Sequence, residues 1–294
     1  MKFSAVVPTY NDADVIDECL QSLMDQTRKF DEIIVVDDGS TDDTLKIVKK
    51  FPVKIVEIPH MGRSSARNKG WKITRGDVVA FIESDAVYNG RWLEKVSEAF
   101  EDGADAVIDR RAVYKPTTFI AKYNDEIFNL RYRNYKPFSA WAFKKDVLMK
   151  LKGFDENLTA AEDVDLGDRL LENGYKIVFV KDAVQYHKGE PKTFIDATKR
   201  AWWFGKYMPA YYREHPKKIP YIKLILFTIL TLLIFFPKVF AVFVFMLYVS
   251  LLVRILIKGL TLKYALLYPI LFIVNGWVFY ISFIKTILAQ KVAR

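Results

Sequence analysis

The sequence is punctuated by short, largely apolar runs at residues 3–7, 33–36, 53–58, 78–82 and 106–108. A strand that alternates apolar and polar residues turns one face to water, whereas a solid run is buried on both faces. Between the runs the spacing becomes helical, as at Val15, Leu20, Leu23 and Met24 and over 64–73 and 92–100. Strand and helix alternating at roughly 20–25 residues predict an α/β domain with a mostly parallel sheet and helices on both faces. In such sheets ligands bind beyond the carboxyl ends of the strands. The residues after each run are therefore the ones to read for chemistry.

The later part of this domain is less regular. Strands are expected at 139–143 and 176–180 and a short helix at 146–151. Ser40 with Asp43, and Thr159 with Glu162, have the spacing of capping boxes, opening helices that run to 50 and from 161 to 173. Gly174 suits the end of the second. A helix at 193–212, rich in aromatic residues and Lys/Arg, has the character of one lying in a membrane interface, or of a packed amphipathic helix.

Residues 219–285 are almost continuously apolar and account for much of the 51% hydrophobic content. A helix crossing ~30 Å of hydrocarbon needs ~20 residues. The segment 264–283 meets this, and 219–236 and 239–257 meet it marginally on either side of Pro237 and Lys238. Two or three spans are expected. With three, Arg254, Lys258 and Lys263 fall inside as the positive-inside rule prefers, but Lys285, Lys291 and Arg294 fall outside; a hairpin that dips in without crossing avoids that conflict.

The net charge is +9, and Lys206, Arg213, Lys217, Lys218 and Lys223 crowd the start of the apolar tail. That placement favours anionic membrane lipids over nucleic acid, for which no motif is present. The single cysteine, Cys19, lies in a helical pattern, excludes an intrachain disulfide and suits a reducing compartment. The expected organisation is a globular domain over 1–190, an interfacial helix and linker over 191–218, a transmembrane region over 219–285 and a basic tail over 286–294. The globular domain is expected on the cytoplasmic side of a multi-pass membrane protein.

Five positions after strands carry polar groups of a consistent kind. Pro8-Thr9-Tyr10-Asn11 by itself reads equally as a turn. Asp37-Asp38-Gly39-Ser40 sets two adjacent carboxylates where they can accept hydrogen bonds from a base N–H or a ribose hydroxyl, or simply form a loop and cap. From Gly62 to Gly70, a glycine turn, a helix start, Arg63, Arg67 and Lys69 suit a pyrophosphate, or make a solvated basic helix. Glu83-Ser84-Asp85 can aim two carboxylates at one hard divalent cation, or close a strand. Glu162 and Asp163 begin a helix, as a helix dipole alone would favour, or place Asp163 as a general base.

In this order and at these spacings the motifs resemble those of the family 2 glycosyltransferases of the GT-A fold, over roughly residues 3–187. They are Val-Val-Pro-Thr-Tyr-Asn, Val-Val-Asp-Asp-Gly-Ser-Thr-Asp, Ala-Arg-Asn-x-Gly, Glu-Ser-Asp in place of Asp-x-Asp, and Glu-Asp-x-Asp-Leu. The resemblance implies a Rossmann-like GT-A domain, a nucleotide-diphosphate sugar donor and Mg²⁺ or Mn²⁺. It implies that Pro8, Thr9, Tyr10, Asp37 and Asp38 hold base and ribose, with Glu83 and Ser84 nearby. Arg67 would face the diphosphate, and Asp85 would bind the metal with His187 completing its shell. Asp163 would deprotonate the acceptor hydroxyl, which displaces the nucleotide with inversion.

Glu83 departs from the usual aspartate. Thr198-Lys199-Arg200-Ala201-Trp202-Trp203 also departs from the Gln-x-x-Arg-Trp of processive synthases. A lipid-linked or membrane-associated glycan is the expected acceptor, with Glu162, Arg200, Trp202 and Trp203 on that side. The alternatives are a polyprenyl-phosphate sugar synthase, against which the Glu-Asp pair argues, and a nucleotide-binding membrane protein without catalysis.

Overall fold

A computed structural model describes residues 1–133 and 141–292. The chain divides into two compact units, Met1–Lys115 with Asn134–Glu190, and Pro116–Arg133 with Pro191–Arg294. In chain order the elements begin with β1 (Phe3–Thr9), α1 (Ile16–Met24), β2 (Glu32–Asp37), α2 (Thr44–Val48), β3 (Lys54–Glu57) and α3 (Arg63–Lys72). Then come β4 (Val78–Phe81), β5 (Ala86–Tyr88), α4 (Trp92–Glu101), β6 (Ala106–Val113), α5 (Phe119–Arg133), β7 (Ala142–Lys144), α6 (Lys145–Leu151), α7 (Glu162–Glu172) and β8 (Ile177–His187). The rest is helical: α8 (Phe194–Glu214), α9 (Tyr221–Leu233), α10 (Pro237–Ile257), α11 (Leu262–Ala265) and α12 (Leu267–Val292).

The first unit is built on an eight-stranded sheet in the order β3-β2-β1-β4-β7-β6-β8-β5. Strands β3, β2, β1 and β4 are mutually parallel. Beyond β4 the sheet is mixed, because β7 runs antiparallel to both β4 and β6, and β5 antiparallel to β8. The mostly parallel expectation thus describes the half that holds four of the five apolar runs; the fifth, at 106–108, is β6 in the mixed half. Both faces are covered. Phe3, Ala5 and Val7 meet Ile16, Leu20, Trp92 and Phe100 from α1 and α4. Val6, Ile34 and Phe81 meet Ala66, Leu148 and Leu166 from α3, α6 and α7. At Gly70 of α3 a Cβ would lie 2.3 Å from Val6 Cγ1, so a side chain there would force helix and sheet apart.

Several expectations need correction. The strand expected at 176–180 continues to His187, past a register shift opposite Asp109 and Arg110. Strand β5 and helix α5 were not expected. The strand expected at 139–143 begins outside the described residues, and the described part is Ala142–Lys144. Neither predicted capping box forms. Helix α2 starts at Thr44, with Thr44 bonded to Asp42 in place of any Ser40–Asp43 exchange. Helix α7 starts after Ala161, in the left-handed region at φ +64°, with no side-chain cap. The capping box that does form joins Thr193 and Asp196 at the start of α8.

In the second unit, α8 packs against α12. A Cβ on Gly205 would sit 2.4 Å from the Phe279 carbonyl oxygen, and Ser282 Oγ donates to the Trp202 carbonyl at 2.8 Å. Helix α5 joins this unit through Tyr123 and Leu130, which pack with Ile255, Leu260, Tyr264 and Leu271. Among the described residues, two segments are long and apolar enough to cross a membrane, Pro237–Ile257 with 21 residues and Leu262–Gln290 with 29. The marginal span at 219–236 is a correction: its helix, Tyr221–Leu233, has 13 residues, and at 1.5 Å per residue it falls short of the hydrocarbon thickness. The end of the basic tail, 293–294, lies outside the described residues.

One buried acid in the first unit makes stability depend on pH. Burial pushes the Asp109 carboxyl up to about 7, although Trp92 Nε1 and Gln185 Nε2 both donate to it at 2.8 Å. Because the folded value is raised, the folded state holds a proton that the unfolded chain gives up near pH 4, and stability falls as pH rises from about 4 to 7. Asp109→Asn should therefore raise the thermal midpoint at pH 8. The gain should shrink toward pH 5, as followed by tryptophan fluorescence of the full chain in detergent.

Candidate active site

Three ligand groups from two distant stretches of chain meet beyond β4. Glu83 and Asp85 lie between β4 and β5, and His187 ends β8. The antiparallel register sets Ala86 opposite His187, and the Lys188 amide donates to the Asp85 carbonyl at 2.9 Å. One ligand atom from each of Glu83, Asp85 and His187 lies within 4.8 Å of the others. His187 Nε2 is 3.1 Å from Asp85 and 3.6 Å from Glu83. The Asp85 side chain is 32% exposed and His187 6%, so the cluster opens to solvent on the aspartate side. Arg111 of β6, 3.7 Å from Glu83, supplies positive charge from behind.

The charges explain the titration. Burial alone would raise Glu83, but Arg111 and His187 outweigh it and hold the carboxyl well below its usual range. Burial also disfavours a charged His187, yet Glu83 and the hydrogen bond to Asp85 lift it to about 9. Cys19 lies under this cluster, its Sγ 3.5 Å from the Glu83 carbonyl, with burial raising its thiol further. It is a core residue.

A second group adjoins the first through Ser84, whose Oγ donates to Asp12 Oδ2 at 2.6 Å. The same oxygen accepts from Thr9 Oγ1 at 2.8 Å and the Tyr10 amide at 3.1 Å. Tyr10 is exposed and stacks on His60 with ring centroids 4.1 Å apart. Asp38 is buried and accepts from the Met61 and Gly62 amides, at 2.7 and 2.9 Å. Asp37 Oδ2 accepts from the Ser40 amide, while its buried Oδ1 has no hydrogen-bond partner among the described residues. Pro8 lies in register with Val36 at the end of β1.

The third group stands at the start of α7. Glu162 accepts from Arg67 NH1 at 2.8 Å, with Arg63 at 3.7 Å. The Arg67 guanidinium also lies over the Trp141 and Phe154 rings, at 5.2 and 5.1 Å. Its charge is thus engaged with protein groups. Asp163 beside it is half-buried; burial and then the Glu162 carboxylate raise its pKa, with Arg67 opposing them. Glu83 acts on Asp163 in the same sense, and Arg67 acts on Glu83, so the third group and the first share one field.

Asp85, His187, Glu83, Ser84, Asp163, Glu162, Arg67, Thr9, Tyr10, Asp37 and Asp38 therefore all belong to the first unit, in adjoining groups. Arg200, Trp202 and Trp203 belong to the second unit, where Trp202 is exposed with Lys285 Nζ 5.9 Å from its ring. Asp12, His60 and Arg111 were not singled out in the sequence. Asp12 alone carried a local signal, as an acid three residues after Thr9. The others are recruited by strand register and loop packing that no spacing reveals.

A family model described as glycosyl transferase family 2 matches residues 4–150. Glycosyltransferase AglE of Haloferax volcanii is 28% identical over 219 residues, which are 69% of this chain and 71% of that protein. The crystal structure of Staphylococcus aureus TarS 1–349 with UDP is 26% identical, with a TM-score of 0.53 over 68% of this chain and 64% of that one. The Pyrobaculum calidifontis mannosyltransferase PcManGT, solved with GDP-Man and Mn²⁺, shares the fold at 23% identity, with a TM-score of 0.55 over 72% of this chain and 64% of that one. The chain thus spans just under two thirds of each of these two solved proteins.

The buried pair gives a direct test. Glu162→Ala leaves the Arg67 guanidinium buried without its carboxylate and should cost about 3 kcal/mol. Arg63→Ala removes a half-exposed partner and should cost under about 1 kcal/mol. Urea unfolding of the full chain in detergent measures both.

Proposed function

The chain belongs to glycosyl transferase family 2, with a GT-A fold in its first unit, and from that membership we propose a specific reaction for it. It moves a sugar from a nucleotide-diphosphate sugar to an acceptor hydroxyl, with inversion. The observation that carries this reading is the meeting of Glu83, Asp85 and His187 within the electrostatic reach of a half-buried Asp163.

The three groups suit a divalent cation: two carboxylates and an imidazole form a mixed oxygen–nitrogen set, and the buried Glu83 Oε2 lacks a hydrogen-bond partner among the described residues. Glu83, Asp85 and His187 would hold Mg²⁺ or Mn²⁺. When bound, such an ion neutralises the negative charge that grows on a departing nucleoside diphosphate. Tyr10 with His60 offers a flat face for a base. The solved complexes of similar proteins hold UDP in one case and GDP-Man in another, which supports a nucleotide-diphosphate donor without fixing the base. Asp163, whose raised pKa brings it nearer to neutral pH, takes the proton of the acceptor hydroxyl as that oxygen attacks the anomeric carbon.

The acceptor is a lipid-linked or membrane-associated glycan. Two helices of membrane-spanning length, with Lys199 and Lys206 exposed on α8 in the same unit, support attachment to an anionic leaflet. The catalytic unit then lies on the cytoplasmic side, the side that positive flanking residues and a lone cysteine favour.

The full chain in detergent with Mn²⁺ should release nucleoside diphosphate from a suitable donor, and chelation should stop it. Asp163→Asn should lower kcat by about 10²–10⁴-fold. The wild-type acid limb should lie above pH 4, the ordinary carboxylate value, with activity rising as pH increases through it. Polyprenyl-pyrophosphate glycans should outcompete soluble sugars as acceptors; transfer to soluble sugars alone would discard the lipid acceptor.

A further inference from the structure

Behind the three ligand groups lies a third acid. Glu190 is 6% exposed and stands three residues beyond His187. Its Oε1 is 3.6 Å from His187 Nδ1 and 3.1 Å from Arg111 Nε. The other ring nitrogen, Nε2, faces Asp85 and Glu83. The imidazole is therefore held between carboxylates, with a different set at each nitrogen. Gly189 closes the arrangement: a Cβ there would fall 2.4 Å from Asp85 Oδ2 and 2.9 Å from His187 Cε1. Residues 187–190 wrap the cluster, with no space for a side chain at position 189.

We propose that Glu190 is a positioning residue for cation binding. A bound cation would take the Nε2 lone pair with loss of that nitrogen's proton, and Glu190 would keep the remaining His187 proton on Nδ1 while Arg111 holds Glu190 in place. A neutral imidazole carries one proton, and a carboxylate beside one nitrogen selects the tautomer that exposes the other. At 3.6 Å the contact is longer than a hydrogen bond, so the selection acts through charge. Arg111 reaches both Glu190 and Glu83, so it also links the acid behind the histidine to a candidate ligand. The inference rests on the metal reading given under Proposed function.

The competing role for Glu190 is as a buried counter-ion to Arg111 and nothing more. Electron paramagnetic resonance of free Mn²⁺, titrated into the full chain in detergent without donor, separates the two. Glu190→Gln should weaken Mn²⁺ binding by about tenfold or more. Glu190→Asp keeps a charge near Arg111 but draws it back from the ring, and should weaken binding by a smaller factor with the thermal midpoint unchanged. In a His187→Ala background, neither change should weaken binding further, because the residue acts through the histidine. Wild-type affinity in both Glu190 variants, alongside weakened binding in His187→Ala, overturns the positioning role and leaves the metal reading standing. An equal loss with and without His187 also overturns it. A wild-type chain that binds no Mn²⁺ removes the metal reading, and this inference with it.

Discussion

The pairing of a three-residue strand, β5, with the end of β8 is the contact on which the site depends. It sets Ala86 against His187 and ties the Lys188 amide to the Asp85 carbonyl, and so joins two stretches about a hundred residues apart. Without it Glu83 and Asp85 would be two acids at the end of a strand, repelling each other with nothing between them. With it they face an imidazole, a guanidinium stands behind, and a glycine admits the loop that closes the cluster. The rest of the first unit serves this arrangement. Parallel strands carry the polar ends of β1, β2 and β4 to one edge, and two buried apolar layers hold that edge still.

The acids are balanced in layers. Glu83 is countered by Arg111, Glu162 by Arg67, and Glu18 by Lys188. Asp85 stays partly open to solvent. A buried pair such as Glu162 with Arg67 adds little net stability, since desolvation offsets much of its attraction, but losing one partner is costly. Such a region fixes geometry at the expense of stability, a compromise common at functional sites. Ala161 adds to it, a non-glycine residue in the left-handed region directly before Glu162 and Asp163.

The parts of the fold legible in the sequence were those decided locally. Strands β1, β2 and β4 are short, largely buried and built around apolar runs, so they announce themselves. Strand β5 is too short to carry a pattern. The second half of β8 is hidden by Lys181 and Asp182, which interrupt its apolar run while the chain changes register. The capping boxes show the limit of local reasoning most clearly. Thr159 and Glu162 have the right spacing, yet Glu162 is claimed by Arg67, 95 residues away in sequence, because a buried guanidinium competes better for a carboxylate than a backbone amide does. Glu83, Ser84, Asp85, Asp163 and His187 were legible as chemistry because they follow strands or open helices. Glu190 and Arg111 were not, since only the β6–β8 register and the turn after β8 bring them in.

The register shift within β8 sets a parity. Asp109 pairs with Val180 and Arg110 with Val184, so residues 181–183 are looped out of the ladder. Side chains alternate faces along a strand, and the count of residues between those two pairs determines which face each later side chain occupies. Losing or gaining one residue in that loop would leave every strand in place yet turn the imidazole to the opposite side of the sheet, and bring Tyr186 or Lys188 to the carboxylates instead. Among homologous chains, length at this point should vary far less than an exposed kink of Lys181 and Asp182 would otherwise allow.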